Sequence, residues 1–253
     1  MKILIGNTGL VGGVLKEKIN FDLEFNSSNI ENYHNFNINN SELYLACLPA
    51  TKWLVNRNIL ADLENINKIF NIIKRYSYNK IVLISTIDVY NGSPIHSDEH
   101  TVPIIKKLDY GSNRYLFELM IQELNCSNIQ IYRLPALFSN KIKKNVLYDL
   151  LHNNNINSIN VNSYYQWFNL NNLVHLIESI DLHGTFNLFT EPLHTSKLFE
   201  LFNVNVETSN LGPIIEYDYK TKLSNSGYIE TSNTVLLEIK KLIDEVSSKP
   251  FNI

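Results

Sequence analysis

Met1-Lys2-Ile3-Leu4-Ile5-Gly6-Asn7-Thr8-Gly9-Leu10-Val11-Gly12 opens the chain, and its reading decides the fold. Lys2–Ile5 is a short apolar strand and Leu10–Ile19 carries a helical pattern, so the glycines fall in a strand-to-helix turn. Glycine at Gly6 permits a positive φ, Gly9 lets backbone approach a pyrophosphate, and Gly12 lets the helix sit against the strand. Phosphates placed there meet the unpaired N–H groups of the helix start. The spacing is G-x-x-G-x-x-G rather than G-x-G-x-x-G, and a ligand-free tight turn uses the same residues. The position of the turn, after the first strand and before the first helix, favours nucleotide binding.

Beyond the turn the chain alternates. Leu23–Phe25 is a second short strand, and Ser27–Asn40 is an Asn- and Ser-rich surface stretch. Leu43–Leu48 is an apolar run suited to a strand buried on both faces. Ile59–Tyr76 has a helical period, Ile81–Ser85 is another buried strand, Tyr110–Leu124 a helix with Leu116, Leu119, Met120 and Leu124 on one side, and Ile129–Leu134 a further strand. This alternation implies an α/β fold with a doubly wound, parallel Rossmann sheet. The expected division is a dinucleotide-binding domain over residues 1–140 and a smaller lobe over 141–253, with segments returning to the sheet. Helical patterns at Val146–Leu151, Leu173–Ile180, Ser196–Phe202 and Asn233–Val246 belong to this later part.

Length and composition suit that class. The 253 residues are 44 % hydrophobic with a formal charge of -3, enough for a core and without a basic block for nucleic acid. Two isolated cysteines, Cys47 and Cys126, make no disulfide framework. With no signal peptide and no apolar run of bilayer length, a cytoplasmic protein is expected. The seven histidines show no ligand spacing, so no metal is expected. The second strand ends Phe25-Asn26-Ser27-Ser28, without the acid that grips a ribose 2′-OH, which tilts the cofactor toward NADP over NAD.

Two further clusters carry chemistry. Ser85-Thr86-Ile87-Asp88-Val89-Tyr90 follows a buried strand, and Tyr110-Gly111-Ser112-Asn113-Arg114 starts a helix. Tyr110 and Arg114 are four apart and share a helix face. A phenol acts in proton transfer near neutrality when a fixed cation lowers its pKa, and Thr86 can share the same substrate oxygen. Arg133, at the end of its strand, reads as structural more readily than functional, and Asp98-Glu99 as a solvated loop.

With the glycine turn, Leu83-Ile84-Ser85-Thr86, Tyr110-Gly111 with Arg114, and Tyr132-Arg133-Leu134-Pro135-Ala136-Leu137-Phe138, the chain resembles the extended short-chain dehydrogenase/reductases that act on nucleotide sugars as epimerases, dehydratases and 4-keto reductases. Tyr165-Gln166-Trp167-Phe168-Asn169-Leu170-Asn171-Asn172-Leu173 and Lys222–Tyr228 resemble later, weaker motifs of that family. The resemblance implies that Thr86 orients the substrate oxygen, Tyr110 passes the proton, and Arg114 holds the nicotinamide ribose and lowers the Tyr110 pKa. It implies cofactor contacts from Gly6, Thr8, Gly9, Leu10, Val11, Gly12, Asn26, Ser27, Ala46, Leu48, Ser85, Tyr110, Arg114 and Leu134, and substrate contacts from Asp88 and Gln166. It also implies a homodimer through the helices at Ile59–Tyr76 and Tyr110–Leu124.

Several residues depart from the family pattern. Arg114 stands where the family has lysine, Gln166 where it has a basic residue, and Asn172 where it has aspartate. Arginine keeps the charge but is planar and not interchangeable with lysine. Ile87-Asp88 replaces the Asp-Glu pair of dehydratases, and neither Cys47 nor Cys126 is placed as a sugar base. The expected activity is NAD(P)-dependent hydride transfer at C4 of a nucleotide-activated sugar, by reduction or epimerisation. A non-catalytic dinucleotide-binding sensor or scaffold is the alternative that Arg114 leaves open.

Overall fold

Apolar runs at Lys2–Ile5, Ser41–Leu45, Tyr78–Thr86 and Ile129–Leu134 form adjacent strands in the computed structural model, which describes residues 1–204 and 212–247. In chain order the elements are β1 (Lys2–Ile5), α1 (Leu10–Lys18), β2 (Leu23–Phe25), β3 (Ser41–Leu45), α2 (Lys52–Arg57), α3 (Ile59–Ile73), β4 (Tyr78–Thr86), α4 (Tyr110–Gln122), β5 (Ile129–Leu134), β6 (Ala136–Phe138), α5 (Val146–Leu151), β7 (Tyr164–Tyr165), β8 (Trp167–Asn169), α6 (Leu173–Ser179), β9 (Gly184–Asn187), β10 (Leu193–His194), α7 (Thr195–Leu201) and α8 (Ser232–Ser247). Short 3₁₀ turns follow β2 and β4, at Ile30–Asn35 and Ile87–Tyr90.

Two units result. The first joins Met1–Leu134 with Asn172–Asn187, and the second joins Pro135–Asn171 with the chain from Leu188 onward. The first holds a six-stranded parallel sheet in the order β2-β1-β3-β4-β5-β9. The chain leaves β1 for β2 on one side and returns to β3 on the other. Ligands bind open α/β sheets at such a switch point, outside the carboxyl ends of the strands. Gly6 and Ala46 lie just past the ends of β1 and β3, and Thr86 and Leu134 end β4 and β5 as register partners.

Strand alternation sorts the core. Ile3, Ile5, Leu43, Leu45, Ile81, Leu83, Ile129 and Ile131 point to one face, where they cluster with Ile66, Ile69 and Ile73 of α3 and Phe117 and Ile121 of α4. Leu4, Tyr44, Val82 and Tyr132 are buried on the other face, and α1 and α6 bury Val14, Leu15, Leu173, Val174 and Ile177.

Two expectations are corrected. The third strand stops at Leu45, so Cys47 and Leu48 lie in the connection beyond it. Met120 of α4 and Leu124 just beyond its end reach the core, but Leu116 and Leu119 are each 40 % exposed. The buried side of α4 carries Tyr110, Asn113, Arg114, Phe117, Glu118 and Ile121. An apolar stripe misassigned this helix because its inward face holds charges that find partners.

The second unit contains two small sheets, β6 beside β8 in parallel and β7 against β10 in antiparallel. Trp167 and Phe168 are buried there, and Tyr164 meets the His194 ring edge-on at 4.6 Å.

The two adjacent glycines of α1 make a test of the turn. A Cβ on Gly12 would lie 2.0 Å from the Gly6 carbonyl oxygen, whereas one on Gly13 meets nothing within 4 Å. Gly13→Ala raises the unfolding free energy by about 0.5–1 kcal/mol through helix propensity. Gly12→Ala lowers it by more than about 2 kcal/mol, because backbone must move. Urea unfolding of both variants measures the contrast.

Candidate active site

Gly6 adopts φ +104°, and a Cβ there would lie 2.2 Å from the Ala46 carbonyl oxygen. Only glycine satisfies both the dihedral and the contact, so the end of β3 closes tightly on the turn after β1. Gly9, by contrast, is exposed and has no such contact. It is the N-cap of α1, with no side-chain cap and no acidic residue in the first turn. The N–H groups of Leu10, Val11 and Gly12 therefore lack intrahelical partners. Thr8 is exposed beside them. The cradle fits an anionic diphosphate.

At the end of β2, Asn26 is held rather than loose. Its Nδ2 donates to Asn7 Oδ1 at 3.1 Å, and its Oδ1 accepts from Ser28 N at 2.9 Å and Ser28 Oγ at 2.6 Å. Asn7 in turn donates to Glu24 at 2.8 Å, and Lys16 pairs with the same carboxylate at 2.5 Å. Hydrogen bonds from Asn7 and then Lys16 hold the Glu24 carboxyl below its ordinary range. Ser27 is exposed at this end.

Thr86, Tyr110 and Arg114 converge. Thr86 closes β4, and its Oγ1 accepts from Asp88 N at 3.2 Å. Tyr110 is the first residue of α4, fixed by an Asp109–Ser112 capping box and by its own N–H donating to Asn56 Oδ1 at 2.8 Å. A Cβ on Gly111 would lie 1.9 Å from the Asp88 carbonyl oxygen, so α4 is pressed onto the turn that carries Thr86. Thr86 and Arg114 both act on the Tyr110 phenol in the direction that favours its ionisation, and the Arg114 guanidinium carbon lies 4.5 Å from the Tyr110 ring centre.

Arg114 is nevertheless not presented as a ribose-holding cation. Nη1 donates to Asp62 Oδ2 at 2.7 Å, and Nη2 donates to Asp62 Oδ1 at 3.1 Å and to the Pro49 carbonyl at 2.6 Å. The residue is 4 % exposed. Its effect on Tyr110 is also outweighed. Burial raises the phenol pKa above its ordinary value, Asp88 adds to the rise, and Arg114 and Thr86 offset it only in part. The expected net lowering is thus reversed, because desolvation of a buried phenolate exceeds the attraction of a cation already paired with Asp62. Burial likewise pushes the Cys47 thiol up to about 12, which suits no base role.

A second buried network takes residues that the sequence left open. Glu118 accepts the Ser85 hydroxyl and three Arg133 hydrogen bonds, from Nε at 3.1 and 3.2 Å and from Nη2 at 2.6 Å. Arg133 Nη1 donates to Tyr90 at 2.6 Å, and Asn187 Nδ2 donates to the same hydroxyl at 3.1 Å. Arg133 is therefore structural, and the Ser85 hydroxyl is committed to Glu118 instead of a cofactor. Asp98-Glu99 is not a solvated loop. The Asp98 carbonyl accepts the Tyr90 hydroxyl at 2.7 Å, and Glu99 accepts Asn187 N at 2.8 Å. Gln166, expected at substrate, is fully buried in the second unit. Its Nε2 donates to the Thr190 and Tyr219 carbonyls at 2.6 and 2.8 Å, and its Oε1 accepts Tyr219 N at 2.9 Å, so both amide donors are taken by backbone. Asp88 is buried beside Thr86 and paired with Lys52 at 2.6 Å.

Asp62, Glu118, Asn56 and Lys52 went unnoticed in the sequence. Asp62 was detectable, because it interrupts the buried stripe of Ile66, Ile69 and Ile73 on α3. Glu118 was detectable too, four residues after Arg114 and between Phe117 and Ile121. Nothing in the local pattern singles out Lys52 or Asn56. Among the described residues no group of His, Cys, Asp or Glu could hold a metal ion, and no helix is long and apolar enough to cross a membrane.

No family model and no curated protein matches the chain by sequence. Solved structures do match its fold. A UDP-galactose 4-epimerase superposes with a TM-score of 0.72 at 12 % identity, covering 99 % of this chain and 100 % of that one. A dTDP-4-dehydrorhamnose reductase from Bacillus anthracis, in complex with NADP, gives 0.70 at 16 %, covering 98 % and 99 %. A UDP-glucose 4-epimerase from Thermotoga maritima, with UDP-glucose, gives 0.67 at 12 %, covering 98 % and 99 %. The fold is thus that of extended, Rossmann-type epimerases and reductases.

The Arg114–Asp62 pair generates a stability prediction. Asp62→Asn leaves a buried guanidinium without its carboxylate and lowers the unfolding free energy by about 3 kcal/mol or more. Adding Arg114→Met to that variant recovers part of the loss. Chemical denaturation of the single and double variants measures both effects.

Proposed function

We propose that the chain is an NAD(P)H-dependent reductase of a carbonyl on a nucleotide-activated sugar, at the C4 position. The observation that carries this reading is the seating of Tyr110, through Gly111, on the turn that carries Thr86 at the carboxyl end of β4, in the same unit as the open glycine cradle. Gly9, Leu10, Val11 and Gly12 would hold the diphosphate, and Asn26 and Ser27 the adenosine ribose. The absence of a bare acid at the end of β2 supports NADP over NAD. A bound reduced nicotinamide supplies the hydride.

The chain's own residues supply the proton. Thr86 orients the substrate oxygen, and Tyr110 gives its phenolic proton to that oxygen as the carbonyl becomes an alcohol. The phenolate left behind is stabilised by Arg114 and reprotonated from solvent. Burial keeps the Tyr110 proton in place at rest, so the site starts in the form that reduction uses. The nucleotide-sugar class comes from the fold neighbours, which include proteins solved with UDP-glucose and NADP. Leu60, Leu116 and Leu119 are exposed on α3 and α4 and suit a homodimer through those helices. Two free cysteines suit a cytoplasmic setting. A second reading, a dinucleotide-binding sensor or scaffold without turnover, is favoured by the commitment of Arg114 to Asp62.

Parallel calorimetric titrations with NADPH and NADH come first, with tighter binding of NADPH expected. Binding of neither overturns both readings. With dinucleotide bound, reduction of a 4-keto nucleotide sugar supports the enzyme, and its absence across that class supports the sensor.

Two predictions follow from Tyr110 itself. Tyr110→Phe lowers kcat by about 10²–10⁴-fold with dinucleotide affinity retained, and unchanged turnover removes Tyr110 from the mechanism. Reduction requires the protonated phenol, whose pKa is raised above its ordinary value of about 10. The Tyr110 ionisation therefore leaves the rate level through neutrality, and the rate falls only as pH rises above about 10. A pH–rate profile that falls near neutrality with this ionisation rejects the assignment.

A further inference from the structure

The short helix α2 makes two polar contacts with the catalytic segment. Asn56 accepts the Tyr110 N–H at 2.8 Å, and Lys52 Nζ lies 2.6 Å from Asp88 Oδ1. Asp88 is the second residue after Thr86, and its N–H donates to the Thr86 hydroxyl at 3.2 Å. Its carboxylate acts on the Tyr110 phenol in the direction that opposes ionisation. The charged and titratable groups around Tyr110 are then Arg114 on its own helix, Asp62 of α3 bound to Arg114, Asp88 after β4, Lys52 of α2 bound to Asp88, and Cys47 after β3. Arg114 is paired with Asp62, and the Asp88 carboxylate with Lys52.

We propose that Lys52 is a positioning residue for Tyr110: by pairing with Asp88 it cancels a carboxylate that would otherwise stand against the phenolate formed when Tyr110 gives up its proton. Lys52 acts through Asp88 and touches neither reacting atom. Its side chain is 43 % exposed. An ion pair with one partner this exposed contributes little to stability, so its removal is not expected to unfold the protein. The Asp88 contacts to Thr86 and to α4 are made by its backbone, so Asp88→Asn keeps them.

This inference rests on the reduction reading, and the experiment separates the two. Steady-state reduction of a 4-keto nucleotide sugar is measured against pH for wild type, Lys52→Met, Lys52→Arg, Asp88→Asn and the Lys52→Met/Asp88→Asn double variant, with NADPH affinity measured for each. Lys52→Met is expected to lower kcat about tenfold or more, the effect of raising the phenol pKa by at least about one unit, while KM and NADPH affinity hold. Its alkaline limb moves to higher pH, because an uncancelled negative charge disfavours the phenolate. Lys52→Arg retains the wild-type profile, and the double variant regains most of the lost kcat, since the charge to be cancelled is gone. Unchanged kcat in Lys52→Met, or a double variant no faster than the single, overturns the role of Lys52. Dinucleotide binding without carbonyl reduction by the wild-type protein overturns the reductase reading itself, and this inference with it.

Discussion

The buried pair between Arg114 and Asp62 is the interaction on which the site depends. Two charges taken out of water are tolerable only when geometry is good and the remaining donors are satisfied. Here the contact to Asp62 is two-pronged, and a further bond goes to the Pro49 carbonyl. One side chain on α4 thereby joins α3 and the connection after β3. That connection is the one that closes on Gly6, so the glycine cradle and the Tyr110 turn share a support.

A second ion pair lies one helical turn further along α4. Glu118 binds Arg133 of β5, and Arg133 reaches Tyr90 in the turn after β4. The helix is therefore held by an arginine on one side and a glutamate on the next turn, each to a different neighbour. Leucines at these places would bury more apolar surface, but apolar contacts are not directional. Charge-assisted hydrogen bonds fix the rotation and register of α4, and with them the place of Tyr110 beside the turn that carries Thr86.

This arrangement explains what could be read in advance. The sheet was legible because its strands are buried on both faces and appear as uninterrupted apolar runs, and because a turn that needs glycine at Gly6 and Gly12 leaves them in the sequence. Thr86, Tyr110 and Arg114 were legible as neighbours from helix spacing and strand ends. The direction of the Tyr110 pKa was not, since it depends on how deeply the ring is buried and on which carboxylate has already claimed Arg114. The inward face of α4 was misread for a related reason: a helix whose buried side is half charged looks, by periodicity, like one turned the other way. Gln166 illustrates the limit of motif alignment. Its position matches a substrate-facing residue in a weak motif, but three backbone groups take its amide.

Arginine in place of lysine at position 114 then acquires a physical account. A lysine ammonium is a point charge on a flexible stem and can serve a ligand, whereas a guanidinium presents a planar fork that matches a carboxylate. Asp62 supplies that carboxylate, and the fork lies against the Tyr110 ring instead of extending into solvent. The cation is thus converted from a ligand-binding group into part of the scaffold beneath the phenol. A scaffold cation already neutralised by Asp62 cannot drive ionisation of a buried phenol, so Tyr110 rests in its neutral form. A neutral phenol is loaded to give a proton, and the charges that surround it, Arg114 with Asp62 and Lys52 with Asp88, sum to zero before the proton leaves. Such a site holds the Tyr110 proton in place at rest and does not stabilise the phenolate in advance, so the cost of forming a phenolate there is set by the charges nearest to it.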